Sequence, residues 1–467
     1  MKENIKDLFK KTFGVEPNSI CEIAAHGSSR KYFRCQTEVV KVLAAYNGDK
    51  KENLAFIDFA KQLKAKGINV PAIIAVDEEK DIYLLEDLGN TTLFDFISSA
   101  SENEILDIYS KIVRTLPKIQ IEAGKGFDFT NAYPRKAFDL QSLQWDLNYF
   151  KYYFLKLADI PFNEQELEND FEVLENYLLN CNCDFLLYRD FQSRNIMLKD
   201  NYEIFFIDFQ GARKGALQYD IASLLYDAKA NLSPQTREKL LAIYIEEVKK
   251  YIDINEEDFI AHFYAYVYIR IMQAMGSYGY RGYFQKKEHF LKSIPFAIEN
   301  IRFLEENIKL PIELPALHNI FQQIITNEKL LSISKNNCVL NVNIKSFSYK
   351  KGYPHDTSGN GGGFVFDCRA LPNPGRYEEY KSLNGLDKEV IDFLEEKEEV
   401  QEFFKNVCSL INQSCKEYQR RGFSNLSVYF GCTGGQHRSV FFAQKLANYL
   451  KNKENIKVIT QHIEQNQ

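Results

Sequence analysis

Apolar positions recur at helical spacing from the start of the chain. Ile5, Leu8 and Phe9 share one face of residues 3–13, and Gly14 follows as a stop. Residues 51–66 repeat the pattern through Leu54, Ile57, Phe59 and Leu63, whereas 68–76 and 81–85 are strand-like. From residue 91 helical spacing dominates. Pro161 opens a helix over 161–180 with Leu167, Phe171, Leu174 and Leu178 on one face. Residues 258–275 are apolar on nearly all sides (Phe259, Phe263, Tyr266, Ile269, Met272), which predicts a buried helix. Two short apolar runs, 183–187 and 203–209, read as buried strands around a polar stretch. Pro311 and Pro315 break the helical pattern over 308–320, which marks a connection between domains. The pattern then changes. Cys338, Leu340, Val342 and Ile344 alternate with Val339, Asn341, Asn343 and Lys345, the period of a half-buried strand. Further strands are expected at 364–369 and 426–430, with helix over 386–420 ending at Gly422 and another through Ala443, Leu446, Ala447 and Leu450.

At 467 residues the chain exceeds one ordinary core. Hydrophobic residues at 45% and charged residues at 26% fit a soluble globular class. A formal net charge of −6 argues against wholesale nucleic-acid binding, and DNA is not expected as a partner. The opening Met-Lys-Glu-Asn lacks an apolar segment, no run of 18 apolar residues occurs, and nine scattered cysteines form no framework. These features predict a cytoplasmic protein with free thiols and no membrane partner. Cys181 and Cys183 lack a second pair at metal-ligand spacing and read as structural.

Chemistry concentrates in the polar stretch between the two apolar runs. Asp190 is followed five positions on by Asn195, and Asp208 closes the next strand. That is the spacing of a phosphoryl-transfer loop, with one carboxylate for the attacking hydroxyl and an amide plus a second carboxylate for Mg²⁺ beside ATP. A plain loop between strands is the alternative, since Asp and Asn are common in turns. Upstream, Gly27, Ser28 and Ser29 offer a low-bulk turn able to close over phosphates. Lys41 interrupts an apolar strand, and an inward lysine there requires an anion such as the ATP phosphates; an edge lysine facing water is the alternative. Glu52 is a partner candidate for Lys41.

A second centre is the loop Gly431-Cys432-Thr433-Gly434-Gly435-Gln436-His437-Arg438-Ser439 between a strand and a helix start. Unpaired N–H groups and the positive helix end favour a phosphate, with Thr433, His437, Arg438 and Ser439 as added donors. Cys432 and Arg438 also stand at C-x₅-R, the spacing of a cysteine phosphatase loop.

Tyr188–Met197, then Ile207-Asp208-Phe209-Gln210-Gly211-Ala212-Arg213 and Tyr219-Asp220-Ile221-Ala222, resemble the aminoglycoside phosphotransferase superfamily, and within it the anomeric kinases of N-acetylmuramate and N-acetylglucosamine. The family usually carries His at Tyr188, a position that organises backbone. The likeness implies a bilobal protein-kinase-like fold over 1–315, with a small lobe to about 88, and a hinge at Glu86, Asp87 and Leu88 whose backbone meets adenine while its acidic side chains are solvated. It implies ATP and Mg²⁺ as cofactors and a sugar acceptor, with Arg135, Trp145, Asp146, Tyr149, Tyr278 and Arg281 as acceptor-pocket candidates, although Trp145 is expected in the core. Residues 343–350, 367–374 and 431–440 resemble the C-terminal domain of the RNase adapter RapZ, over about 338–460. That likeness implies a small α/β domain over 338–467 after a linker at 316–337, binding a phosphorylated amino sugar at Thr433, Gly434, Gly435, His437, Arg438 and Ser439 with Arg369 nearby. The Gly-rich stretch near 359 looks like an insertion, and the tail mixes Lys with Glu where the family is basic, which weakens the case for RNA as a partner. The chain is thus read as a multidomain α/β and α+β protein. Its expected activity is sugar phosphorylation in cell-wall recycling; a kinase of another small alcohol, such as an aminoglycoside or choline, and an inactive scaffold or sensor are the alternatives.

Overall fold

The helix Lys2–Phe13 buries Ile5, Leu8 and Phe9, and Gly14 ends it in the left-handed conformation, its N–H returning to the Lys10 carbonyl. In the computed structural model, which describes residues 1–23, 30–79, 81–335, 339–356, 363–421, 423 and 425–465, this helix covers a five-stranded antiparallel sheet. The strands Ser19–Ile23, Lys31–Gln36, Lys41–Tyr46, Ile82–Glu86 and Ile73–Asp77 lie in that order. Phe33, Cys35, Val42, Ala44, Ile82 and Leu84 meet the helix on one face. Tyr83 points to the other face, against Phe56 of the helix Lys50–Ala65.

The larger lobe is helical. Its centre is Glu256–Gly279, which buries Phe259, Phe263, Tyr266, Ile269 and Met272 as the all-round apolar pattern predicts. The helix Glu164–Leu179 likewise buries Leu167, Phe171, Leu174 and Leu178. Two small antiparallel ribbons carry the polar stretch: Phe185–Leu187 with Arg213–Gly215, and Ile196–Lys199 with Glu203–Phe206.

The chain divides into two compact units, Met1–Lys286 with Ser293–Leu330, and Lys287–Lys292 with Leu331–Gln467. The boundary at Leu330–Leu331 falls within the linker read at 316–337 and after the connection read at 308–320. Pro315 starts a helix, Pro315–Thr326, instead of ending one, because proline is well suited to the first helical turn. Leu317, Ile320, Phe321 and Ile324 of that helix are buried, and the Leu317 N–H donates to Asp170 at 2.8 Å.

The second unit holds a four-stranded parallel sheet in the order Gly363–Asp367, Asn425–Cys432, Leu340–Ser348 and Ile456–His462. Leu340, Val342 and Ile344 are buried, as their alternation predicts. The helical stretch read at 386–420 is two helices, Lys388–Glu395 and Glu398–Arg421. Cys338, Gly422 and the Gly-rich residues 357–362 lie outside the described residues. No helix among the described residues is long and apolar enough to cross a membrane.

Candidate functional site

The strand Phe185–Leu187 delivers Tyr188, Arg189 and Asp190 to a loop whose backbone is tied to one carboxylate. Asp220 accepts from the N–H of Tyr188 at 2.7 Å, the N–H of Arg189 at 3.0 Å and Gln120 Nε2 at 3.0 Å. Complete burial pushes the Asp220 carboxyl up to about 6, against those hydrogen bonds. Arg189 takes a positive φ of 83° and sends its guanidinium to Asp146, with bonds of 2.8 and 2.9 Å beneath the rings of Phe138 and Tyr219. The Tyr188 hydroxyl donates to the Ile207 carbonyl at 2.7 Å, joining the loop to the second strand run, so the tyrosine does organise backbone.

Asn195 draws the three expected residues together. Its Nδ2 donates to the Asp190 carbonyl at 2.8 Å and to Asp208 Oδ2 at 3.1 Å. The amide oxygen is thereby the atom left for a cation. Asp208 lies at φ 67° and its carboxyl is pushed up, first by burial and then by Asp190. Two hard oxygen donors beside a second carboxylate fit a divalent ion such as Mg²⁺, which relieves that repulsion and keeps coordination positions for phosphate. No group of three or more His, Cys, Asp and Glu among the described residues is placed to hold a metal.

The cation of the small lobe is not the one expected. Lys41 begins its strand, is exposed, and its Nζ lies 3.5 Å from Asp87. Val42, Ala44 and Ala45 take the buried positions, so the lysine side chain is left at the strand's outer start. Glu52 pairs instead with the buried Arg30, at 3.1 Å, whose guanidinium lies over Phe56. From Glu52 the network continues: Gln210 Nε2 lies 3.3 Å from Glu52 Oε1 and 2.8 Å from Asp208 Oδ1. Arg30 is thus linked through two side chains to the Asp208 carboxylate. Gly27, Ser28 and Ser29 lie outside the described residues.

The acids expected to be solvated at the hinge are ion-paired instead. Asp87, with a side chain 2% exposed, holds Arg34 through bonds of 2.6 and 2.9 Å. Glu86 pairs with Lys199 at 2.7 Å. Leu88 packs with Met197, Phe205 and Ile207, an apolar surface beside the hinge backbone.

Several acceptor-pocket candidates are committed elsewhere. Asp146 belongs to Arg189, and Arg135 pairs with Asp139. Trp145, expected in the core, is 46% exposed with Arg135 over its ring. Arg281, expected in the acceptor pocket, belongs to a positive cluster at the Asp190–Asn195 loop with Arg194 and Lys229, which the sequence did not single out. Ser193, next to Arg194, donates to Asp227 at 2.6 Å, and Asp227 also accepts from the N–H of Lys229. Desolvation, then Arg194, lower both the Lys229 ammonium and the Arg281 guanidinium, and Asp190 is among the groups that hold Arg281 up. Arg194 stood inside the quoted motif, but only the fold brings residues 229 and 281 to it.

In the second unit, the loop at the carboxyl end of Asn425–Cys432 lies where parallel sheets bind ligands. Thr433 and Gly434 are exposed, and among the described residues none accepts from the N–H groups of Gly434, Gly435 and Gln436. The side chains behave otherwise than expected. Arg438 is 4% exposed and donates to the carbonyls of Arg369 and Leu371 at 2.8 and 2.9 Å, so it clamps a turn instead of reaching solvent. His437 Nε2 meets the Tyr380 carbonyl at 2.9 Å, and buried Ser439 lies 3.1 Å from Cys432 Sγ. Arg369 pairs with Asp367 above the Tyr349 ring. With Cys432 only 3% exposed and Arg438 engaged, the C-x₅-R spacing does not assemble a phosphatase loop.

Residues 19–253 match the model of the phosphotransferase enzyme family, and 340–466 that of the RapZ C-terminal domain. A nucleotide-binding protein of Glaesserella parasuis is 35% identical over 174 residues, 36% of this chain and 59% of that protein. One from Thermotoga neapolitana is 35% identical over 182 residues, 38% of this chain and 63% of its own. The chain thus spans less than two thirds of these curated relatives. Among solved structures, the choline kinase LicA of Streptococcus pneumoniae aligns at 16% identity and TM-score 0.43, over 71% of this chain and 99% of its own. A microcompartment-associated aminopropanol kinase aligns at 14% identity and TM-score 0.48, over 66% and 98%. With its kinase-like loop followed by a RapZ C-terminal domain, the chain belongs to the phosphotransferase enzyme family.

Proposed function

We propose that the protein is an ATP-dependent cytoplasmic kinase acting on a sugar hydroxyl, the anomeric hydroxyl of N-acetylmuramate or N-acetylglucosamine in cell-wall recycling. The observation that carries the reading is the convergence of Asp190, Asn195 and Asp208 through the Asn195 amide. When bound, ATP supplies the phosphoryl group and Mg²⁺ offsets the charge of its phosphates. Asp190 accepts the hydrogen bond of the acceptor hydroxyl and takes its proton, which positions the nucleophile. Asn195 and Asp208 would hold the metal, and Arg30, fixed by Glu52, takes the phosphate-side role first given to Lys41. The backbone of Glu86–Leu88, with Leu88 beneath, receives the adenine. Arg194, Lys229 and Arg281 favour an acceptor that is not itself a cation, which sets the sugar acid above choline or an aminoglycoside. The joint presence of Asp190, Asn195 and Asp208 speaks against an inactive scaffold. The second unit is read as a regulatory domain that binds a phosphorylated amino sugar through the backbone of Thr433–Gln436; RNA as its partner rests on the resemblance alone.

The test is ATP consumption over N-acetylmuramate, N-acetylglucosamine, choline and an aminoglycoside, with products assigned by phosphorus NMR. A sugar 1-phosphate is expected, with N-acetylmuramate the better acceptor. Turnover of choline or the aminoglycoside alone selects the other alcohol kinases, and no turnover with any acceptor selects the scaffold.

A further inference from the structure

Cys181 and Cys183, which sequence spacing marks only as structural thiols, turn toward one another in the fold. The helix Glu164–Leu179 is capped by Asn180, the strand Phe185–Leu187 begins after Asp184, and the residues between belong to neither element. Asn182 Oδ1 accepts from the Asp184 N–H at 2.9 Å, which fixes a bend. The two sulfurs lie 3.9 Å apart across it. Residues two apart in a chain keep their Cα atoms within about 7 Å, the outer reach of a disulfide, and a bend brings them closer. Side-chain rotation therefore suffices to join the sulfurs. Both thiols are half-buried, so a small solute reaches them. Their surroundings differ. Cys181 donates to the Leu178 carbonyl at 3.1 Å, and its sulfur lies 3.6 Å from the Tyr266 hydroxyl. The hydrogen bond with Cys183, then burial, pushes the Cys181 thiol far above its ordinary range. The same bond draws Cys183 down against burial, with Tyr266 assisting and Asp184 opposing. Metal binding is another use for two thiols, but among the described residues no group of three or more His, Cys, Asp and Glu is placed for it.

We propose that Cys181 and Cys183 form a reversible oxidation site, with Cys183 as the sulfur that reacts with a peroxide and Cys181 as the sulfur that resolves it. The Cys183 thiolate attacks one oxygen of hydrogen peroxide. The O–O bond breaks, and the second oxygen leaves as hydroxide, which takes up the proton Cys183 had lost. Cys183 then carries a sulfenic acid. Cys181 attacks that sulfur, the S–O bond breaks, and the sulfenic hydroxyl leaves with the Cys181 proton as water. Two thiols are thereby oxidised to one disulfide, and one peroxide is reduced to two waters. A dithiol reductant returns two electrons and two protons. Resolution by Cys181 stops Cys183 short of the irreversible sulfinic stage. Tyr266 removes a cost of this step. Its hydroxyl also reaches the Leu178 carbonyl, at 3.4 Å. That carbonyl keeps a donor after Cys181 has given up its proton, so oxidation strands no buried acceptor.

Exposed Cys21 supplies an internal control, because exposure by itself would make it the first thiol to oxidise. The test treats the full, reduced chain with hydrogen peroxide for increasing times, alkylates the remaining thiols and maps the peptides by mass spectrometry. The segment holding Cys181 and Cys183 is expected to lose its label at least about tenfold faster than Cys21, as one internally bridged peptide, and to regain it after dithiothreitol. Cys181→Ser should leave a sulfenic acid at Cys183 that dimedone traps. Cys183→Ser should slow the oxidation of Cys181 to the rate of Cys21 or below. Oxidation of Cys21 ahead of the pair overturns the proposal, as does dimedone capture of Cys183 in the parent without a bridged peptide. A Cys183→Ser protein whose Cys181 reacts at the parent's rate overturns the assigned roles. The comparison of the pair with Cys21 needs no substitution and decides alone if either variant fails to fold.

Discussion

Arg30 and Lys41 divide the work of a cation differently from what their sequence neighbourhoods suggest. Arg30 is buried on Glu52, and Lys41 sits at a solvated strand start. Arg30→Ala should therefore lower kcat/KM for ATP by about a hundredfold or more, whereas Lys41→Ala should stay within about threefold. Steady-state kinetics on the pair checks this, and the reverse order would restore the lysine. Asp190→Asn should lower kcat by orders of magnitude with little change in ATP affinity, since orienting the nucleophile acts in the transition state. Glu175 offers a stability test. Burial pushes its carboxyl up to about 7 from an ordinary value of 4.5, and Glu168 and Glu172 add to the shift while Gln144 opposes it. A raised carboxyl means the folded state binds the proton more tightly. Its stabilisation of the fold is therefore greatest at low pH and is lost as pH rises from about 4.5 to about 7. Glu175→Gln should gain about 1–3 kcal/mol over the parent at pH 8 and little at pH 4.5, read from denaturation midpoints at the two pH values.

Among elements, the helix Glu256–Gly279 governs how closely the large lobe packs. A Cβ on Gly279 would stand 1.9 Å from the Tyr153 carbonyl oxygen, and one on Gly276 2.8 Å from the Tyr149 backbone. Backbone cannot yield as a side-chain tip can. Gly279→Ala is expected to cost about 2–4 kcal/mol despite the higher helix propensity of alanine, and thermal denaturation should show it. The helix was legible from its all-round apolar pattern. Its glycines read in sequence only as weak helix formers, because which backbone lies opposite is not a local property. The same limit applies to Pro315. Proline punctuates a pattern, but whether it ends one helix or opens the next depended on Leu317, Ile320 and Phe321 finding a buried surface.

For the whole molecule, two units with separate sheets imply separable responses. A ligand raises the stability of the unit that binds it. Mg-ATP should raise one calorimetric transition and glucosamine-6-phosphate another, each by several degrees at a hundredfold excess over Kd. A single transition moved equally by both would show that the units unfold together.

The linear order of residues by itself placed the two candidate sites. Asp190, Asn195 and Asp208 lie on neighbouring strand ends, so short-range spacing suffices to bring them together, and the Asn195 bonds bear this out. The glycine loop before Arg438–Leu450 was equally local, a strand, a turn and a helix start in succession. What only the tertiary structure decided was the use of each charged side chain. Arg438, Asp146 and Asp87 read as ligand-facing or solvated, yet each is consumed by a partner 40 to 70 residues away in the chain. Arg194, Lys229 and Arg281 are scattered in sequence and meet at one loop. Glu464 was an ordinary tail acid until the fold laid it against Gly435. The reason is physical. Periodicity and spacing report which way a side chain leaves its own element, while a charge is settled by whatever opposite charge or free donor the folded chain brings within reach.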